Sequence, residues 1–239
     1  MTTHITHSPC DASPLLLASQ SPRRRRLLSL LGLPFSAVSV DTPENLDSPL
    51  ASDPAALAVS LAAEKAAAVR EEGLEPSGIT LCFDTIVVLD EAVLGKPHDT
   101  DDAWRMLRAL SGRTHRVITG VAMLLPAEKN PRTVSVATQV VMRPLDDAAI
   151  LKWMKAGEYL GCAGAYNIEA QVALVSEDEC YQNVAGIPLC HLHAALAAIH
   201  RENPDAALRE PFVPIAACDA ALGRRCRLGP RVVAGGSSH

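Results

Sequence analysis

Residues 81–97 read LCFDTIVVLDEAVLGKP, and their reading decides the fold. Two apolar runs, 79–83 and 86–89, stand on either side of Asp84, and a third, 92–94, follows Asp90-Glu91. Short runs rich in Ile, Val, Phe and Thr read as strands, and the acidic pair between the last two reads as a hairpin turn. A carboxylate set into such an apolar background must be partnered, bind a metal or shift its pKa. The plainer alternative is a buried Asp that caps nearby backbone. Lys96 lies between Gly95 and Pro97 in a stiff turn, where it is either a fixed phosphate ligand or an ordinary solvated lysine.

Outward from this hairpin, strands and helices mix. Toward the N-terminus, residues 15–18 read as a short buried strand and 22–31 as a helix closed by Gly32. A strand over 35–40 and the polar loop DTPENLDSP follow, and Asp53-Pro54 opens an alanine-rich helix over 54–71. Glu64-Lys65 lies midway along it, a weak signal when taken alone. Toward the C-terminus come a helix over 101–110, a hairpin of strands 116–125 and 133–141, a helix over 146–156, a strand over 172–175 and a helix over 188–200. Hairpins among crossovers predict a mixed α/β (α+β) fold, a twisted mixed sheet flanked by helices. Residues 1–13 read as a flexible extension without the regions of a signal peptide. Residues 14–203 form the domain. Residues 204–239, with prolines, glycines and arginines but no period, read as a peripheral or disordered tail.

Composition narrows the function. The 239-residue chain is 48% hydrophobic and 21% charged, as a globular protein is, and no stretch approaches the length of a membrane span. Its net charge of −5 and its eight aromatics argue against nucleic acid as a partner. Seven scattered cysteines without C-x-x-C fit reduced thiols and a cytoplasmic setting better than disulfides or a zinc site.

Residues 18–35, ASQSPRRRRLLSLLGLPF, put four arginines where a helix begins. Ser21 reads as the N-cap and Pro22 as the first helical residue. Cations are unwelcome at that end of the helix dipole unless an anion stands between them and the free N–H groups. Arg23 and Arg24, beside those groups, are candidate phosphate ligands, whereas Arg25 and Arg26 read as a solvated face. No P-loop pattern is present. In CAGAYNIEAQVALV, residues 162–175, small residues allow close approach of a flat ligand, and Glu169 either reads a base edge or is merely exposed. His191 and His193 diverge on a helix and are core or surface, not metal ligands.

Seven motifs in order carry a resemblance: S-x-S-P-R-R at 19–24, E-K-A at 64–66, D-T-I-V at 84–87, G-K-P at 95–97, L-S-G-R-T-H at 110–115, A-G-A-Y at 163–166 and N-V-x-G-I-P-L at 183–189. Together they resemble the Maf family of nucleoside triphosphate pyrophosphatases, over residues 15 to about 200. The resemblance implies a sheet bent around a cleft between two lobes, inosine-triphosphatase-like, a homodimer and a divalent metal, Mg2+ or Mn2+. It implies Asp84 as proton acceptor, Ser19, Arg23, Arg24, Lys65 and Lys96 as phosphate ligands, and Glu44 with Asp84 at the metal. Arg23 and Thr85 are similar to the family's dTTP/UTP branch, while Glu169 is similar to its 7-methyl-GTP branch. Hydrolysis of dTTP/UTP or a modified nucleotide is the function expected. The alternatives are a 7-methyl-GTP enzyme and a non-catalytic regulatory or nucleic-acid-binding protein that uses the same cleft.

Overall fold

A computed structural model of the chain describes residues 14–40, 42–74, 78–126, 128–203 and 208–235. The extension expected at 1–13 lies outside the described residues. A seven-stranded sheet forms the centre, with strands β1 (Leu15–Ala18), β2 (Phe35–Val38), β3 (Ile79–Leu89), β4 (Ala92–Leu94), β5 (Thr114–Leu124), β6 (Arg132–Met142) and β7 (Ala173–Val175). Their order is β2-β1-β3-β5-β6-β7, with β4 added to β3. β1 runs parallel to β2 and β3, and every other pair is antiparallel, so the sheet is mixed as expected.

The two apolar runs around Asp84 are one strand. The whole of β3 from Thr80 to Val88 is paired with β5, Asp84 opposite Gly120 and Thr85 opposite Thr119. A strand tolerates a carboxylate when the ladder is complete on one side and the side chain leaves the sheet plane. On its other edge β3 pairs with β1 through residues 79–82 and with β4 through 87–89. Neither neighbour reaches residues 83–86. This gap in the β3 edge lies where β1 ends, and the chain turns there from Ala18 into Ser19 and the next helix.

Side chains alternate across β3. Phe83, Val87 and Leu89 join the larger core with helices α1 (Pro22–Ser29), α3 (Thr100–Leu110), α4 (Asp147–Met154) and α6 (Leu189–Glu202). Cys82, Ile86 and Val88 face α2 (Pro54–Glu71) with Ala58, Leu61, Ala62 and Ala66. Alanines at these positions bring α2 close to the sheet. At Gly120 the approach is closest, for a Cβ there would stand 2.0 Å from the Ala58 carbonyl oxygen. Asp84 therefore points to the α2 face and Thr85 to the opposite one.

Among residues 204–239, expected to be peripheral or disordered, the described part carries α7 (Ile215–Leu222) and α8 (Leu228–Val233), while α5 (Tyr181–Val184) precedes α6. Leu208, Cys218 and Val232 are buried, and the Phe212 N–H donates to the Leu31 carbonyl at 2.8 Å. The helices are short enough that prolines and glycines at their ends hide any period. No helix among the described residues is long and apolar enough to cross a membrane.

Candidate active site

The gap in the β3 edge gathers side chains from both faces of the sheet. On the α2 face, Asp84 is buried and its Oδ1 accepts from the Lys65 ammonium. Lys65 reaches it because Ala62 and Ala66 pack on the sheet beside it. Asp84 Oδ2 is buried without a hydrogen-bond partner among the described residues. Glu44, from the loop after β2, accepts from Lys96 through Oε1, which also lies 3.9 Å from the Lys65 ammonium. Gly95, just before Lys96, admits that loop, since a Cβ there would stand 2.4 Å from Leu46. Asp84, Lys65, Glu44 and Lys96 are thus one alternating chain of charges.

On the other face stands Arg24. Ser21 caps α1 by accepting from the Arg24 N–H, so the arginine leaves the first turn of the helix. Its Nε donates to the Gly186 carbonyl at 3.0 Å and its Nη2 to Thr85 Oγ1 at 3.0 Å, with the guanidinium 5.8 Å from the centre of the Phe83 ring. The Thr119 hydroxyl gives its one proton to the Asn183 carbonyl at 3.2 Å, so Thr85 donates to Thr119 across 2.9 Å. Arg24, Thr85, Thr119 and Asn183 form a one-way relay that fixes the guanidinium. Gly186, at φ +110°, leaves the space, for a Cβ there would lie 3.1 Å from Arg24 Nε. Burial pushes the Arg24 pKa down, and the carboxylates of Asp84 and Glu44 oppose that shift. A guanidinium stays charged through such a shift.

The four arginines separate as their positions on the helix require. Arg23 and Arg24 are half-buried, while Arg25 and Arg26 are exposed. Arg23 donates to Cys162 Sγ at 3.3 Å. Ser19 is buried at the end of β1, its N–H bonded to Val38 and its hydroxyl accepting from the Ser21 N–H at 3.2 Å. Glu169 stands apart from Thr85. Its carboxylate pairs with Arg26, one turn beyond Arg23, on an open groove that Tyr181 and Arg224 also line.

Three partners of this arrangement were not singled out from sequence. Thr119, Asn183 and Gly186 lie in or next to the quoted motifs, but nothing in their spacing says that they hold Arg24. His115 and Tyr166 join two other motifs, Nε2 to hydroxyl at 2.7 Å, and burial lowers the His115 pKa from 6.5 to about 4.

Chemically, the gap offers one buried carboxylate oxygen, two ammonium groups and a fixed guanidinium on either side of a strand edge that no neighbouring strand pairs. Among the described residues no three His, Cys, Asp or Glu stand together as a ready metal site. Asp84 and Glu44 suit a cation that keeps most of its shell from elsewhere, as Mg2+ does when one or two carboxylates and substrate phosphates bind it.

A family model described as Maf-like protein matches residues 14–199. A protein described as dTTP/UTP pyrophosphatase from Xanthomonas oryzae pv. oryzae is 42% identical over 186 residues, 77% of this chain and 97% of that one. One so described from Ruminiclostridium cellulolyticum is 38% identical over 190 residues, 79% of this chain and 97% of that one. A solved dITP/XTP pyrophosphatase from Mycobacterium abscessus aligns at 17% identity and a TM-score of 0.33, over 55% of this chain and 74% of that one, a likeness too slight to bear on function.

Proposed function

Since the chain belongs to the Maf family, we infer that it is a nucleoside triphosphate pyrophosphatase whose preferred substrates are dTTP and UTP and whose reaction takes place at the gap in the β3 edge. One water is consumed. Its oxygen bonds to the α-phosphorus, the bond from that phosphorus to the bridging oxygen breaks, and a nucleoside monophosphate and pyrophosphate leave.

The observation that carries this reading is Asp84 Oδ2, which has no hydrogen-bond partner among the described residues. Oδ1 is held by Lys65, which orients the carboxylate, and Oδ2 remains to take a proton from the attacking water. Charge grows on the leaving pyrophosphate as the bond breaks. Lys65, Lys96, Arg23 and Arg24 bear on that charge, and a guanidinium already fixed by Gly186 and Thr85 needs no reordering when it does so. The Ser19 hydroxyl, which accepts from the Ser21 N–H, keeps its own proton to donate to the phosphates, whereas the Arg24 N–H is already taken by the Ser21 cap. Asp84 and Glu44 would hold a divalent cation, Mg2+ or Mn2+, which when bound supplies charge neutralisation at the phosphate oxygens.

The Arg26–Glu169 pair supports dTTP and UTP over a guanine nucleotide. A carboxylate already engaged by a guanidinium is a poorer acceptor for the two donors of a guanine edge. The homodimer expected from sequence belongs to the same family reading, and the cytoplasmic setting rests on the scattered cysteines read as reduced thiols.

The test is a panel of dTTP, UTP, CTP, GTP and 7-methyl-GTP with Mg2+ or Mn2+ in oxygen-18 water. The reading requires pyrophosphate as product, dTTP and UTP ahead of the rest, and the heavy oxygen in the monophosphate. Label in the pyrophosphate would mean attack at the β-phosphorus and would remove the assignment.

A further inference from the structure

Four of the cysteines line one cavity away from the strand gap: Cys180 at the start of α5, Cys190 in α6, Cys218 in α7 and Cys226 just before α8. The first two lie within the residues matched by the family model and the last two beyond it. We propose that Cys190 and Cys226 form a reversible disulfide that fastens the C-terminal helices to α6, with a small-molecule disulfide such as oxidised glutathione as the oxidant.

Gly229 limits how far apart the two sulfurs stand. A Cβ at that glycine would stand 3.2 Å from Cys190 Sγ and 3.7 Å from Cys226 Sγ, so both sulfurs lie within 4 Å of one point, in space left by the missing side chain. The Gly229 N–H donates to Cys226 Sγ at 3.3 Å, and the Cys226 N–H donates to Asp219 Oδ1 at 2.9 Å, which fixes the loop that carries the thiol. Access differs between the two, for Cys226 is half-buried and Cys190 buried. Four thiols around one cavity also suit a soft metal in principle. Against that, no three His, Cys, Asp or Glu among the described residues converge as metal ligands. Two thiols that face one glycine with unequal access are instead the arrangement for thiol–disulfide exchange.

The exchange has two steps. The Cys226 thiolate attacks one sulfur of oxidised glutathione, that disulfide breaks, and one glutathione leaves as a thiol. Cys190 then gives up its proton and attacks the Cys226 sulfur of the mixed disulfide, and the second glutathione leaves. Two protein thiols are oxidised and one small disulfide is reduced to two thiols. Burial, and after it the neighbouring thiols, push the Cys190 pKa up, so the second step is slow at neutral pH and quickens as pH rises. The closed loop constrains the unfolded chain between residues 190 and 226, which raises the melting temperature of the oxidised form.

The experiment treats the reduced full chain with oxidised glutathione, blocks remaining thiols by alkylation and maps the peptides by mass. The expected result is the loss of two alkylatable thiols, a Cys190–Cys226 cross-linked peptide, a melting temperature higher than that of the reduced chain and its return on reduction. Cys226→Ser and Cys190→Ser, checked for folding by circular dichroism, should each abolish the cross-link, while Cys82→Ser keeps it. A different pair, a stable glutathione adduct at Cys226 that never closes, or zinc retained by the four thiols would each overturn the proposal.

Discussion

Replacing Lys65 with methionine keeps the helix and most of the side-chain volume but removes the only cation hydrogen-bonded to Asp84 among the described residues. The Asp84 side chain is 3% exposed and that of Lys65 13%, so the pair is buried. Removing one partner of a buried ion pair costs about 3–5 kcal/mol, because the remaining charge is stranded. Here the cost is not relieved locally, since the second oxygen of Asp84 has no partner among the described residues either. Neutralising both members removes the stranded charge. Lys65→Met/Asp84→Asn should therefore be more stable than Lys65→Met alone by at least about 1 kcal/mol, because the stranded charge is gone. Urea unfolding of the four proteins of this cycle at neutral pH, analysed for both midpoint and slope, gives the numbers. A loss below about 1 kcal/mol for Lys65→Met, or a double variant no better than the single, would refute the view that Lys65 compensates a buried Asp84 charge.

Arg24→Ala should lower kcat/KM by about tenfold or more, the worth of charge-assisted hydrogen bonds, whereas Arg26→Ala, which breaks an exposed pair, should stay within about fivefold of wild type. Equal losses in steady-state assays of the two would erase the division within the arginine run. His115 is held neutral by burial, with its pKa lowered from 6.5 to about 4. The unfolded chain then binds the proton first as pH falls, so this stability is complete above pH 6.5 and lost toward pH 4, by about 3 kcal/mol. Thermal melts across that window should show the loss, and His115→Gln should flatten it. A chain ending at Asn203 would leave the surroundings of Leu208, Cys218 and Val232 uncovered and should be less stable by at least about 3 kcal/mol, since one buried aliphatic side chain is worth about 1.5–3 kcal/mol. An unchanged melting temperature would show that α7 and α8 add nothing to the core.

How far the sequence could be read follows from how local each signal is. The helix starts at Pro22 and Pro54 were legible because a capping side chain and a proline act on the backbone beside them. The separation of Arg23 and Arg24 from Arg25 and Arg26 was legible for the same reason, as position in the first turn decides it. The continuity of β3 through Asp84 was not, because it depends on pairing with Gly120 and Thr119 far along the chain. Nor was the fixing of Arg24, which draws on Thr85, Thr119, Asn183 and Gly186 from three separate segments. Glu169 read equally well as a base contact or as surface. Its pairing with Arg26 comes from the approach of α1 to the short turn Ile168–Ala170, which no local pattern announces. The helices of the tail were not legible for a simple reason: six- and eight-residue helices are too short to display a period.

The central claim is that the free oxygen of Asp84 accepts the proton of the attacking water. Its most direct measurement is the kcat of Asp84→Asn on dTTP with saturating Mg2+ or Mn2+, beside wild type, with circular dichroism and melting curves to show that both are folded. Asparagine keeps the shape and a hydrogen-bonding oxygen but cannot take the proton. The account predicts a fall on the order of 10²- to 10⁴-fold. A folded Asp84→Asn protein that keeps more than about a tenth of the wild-type kcat would contradict it, since that residual rate leaves no room for a base contribution of this size.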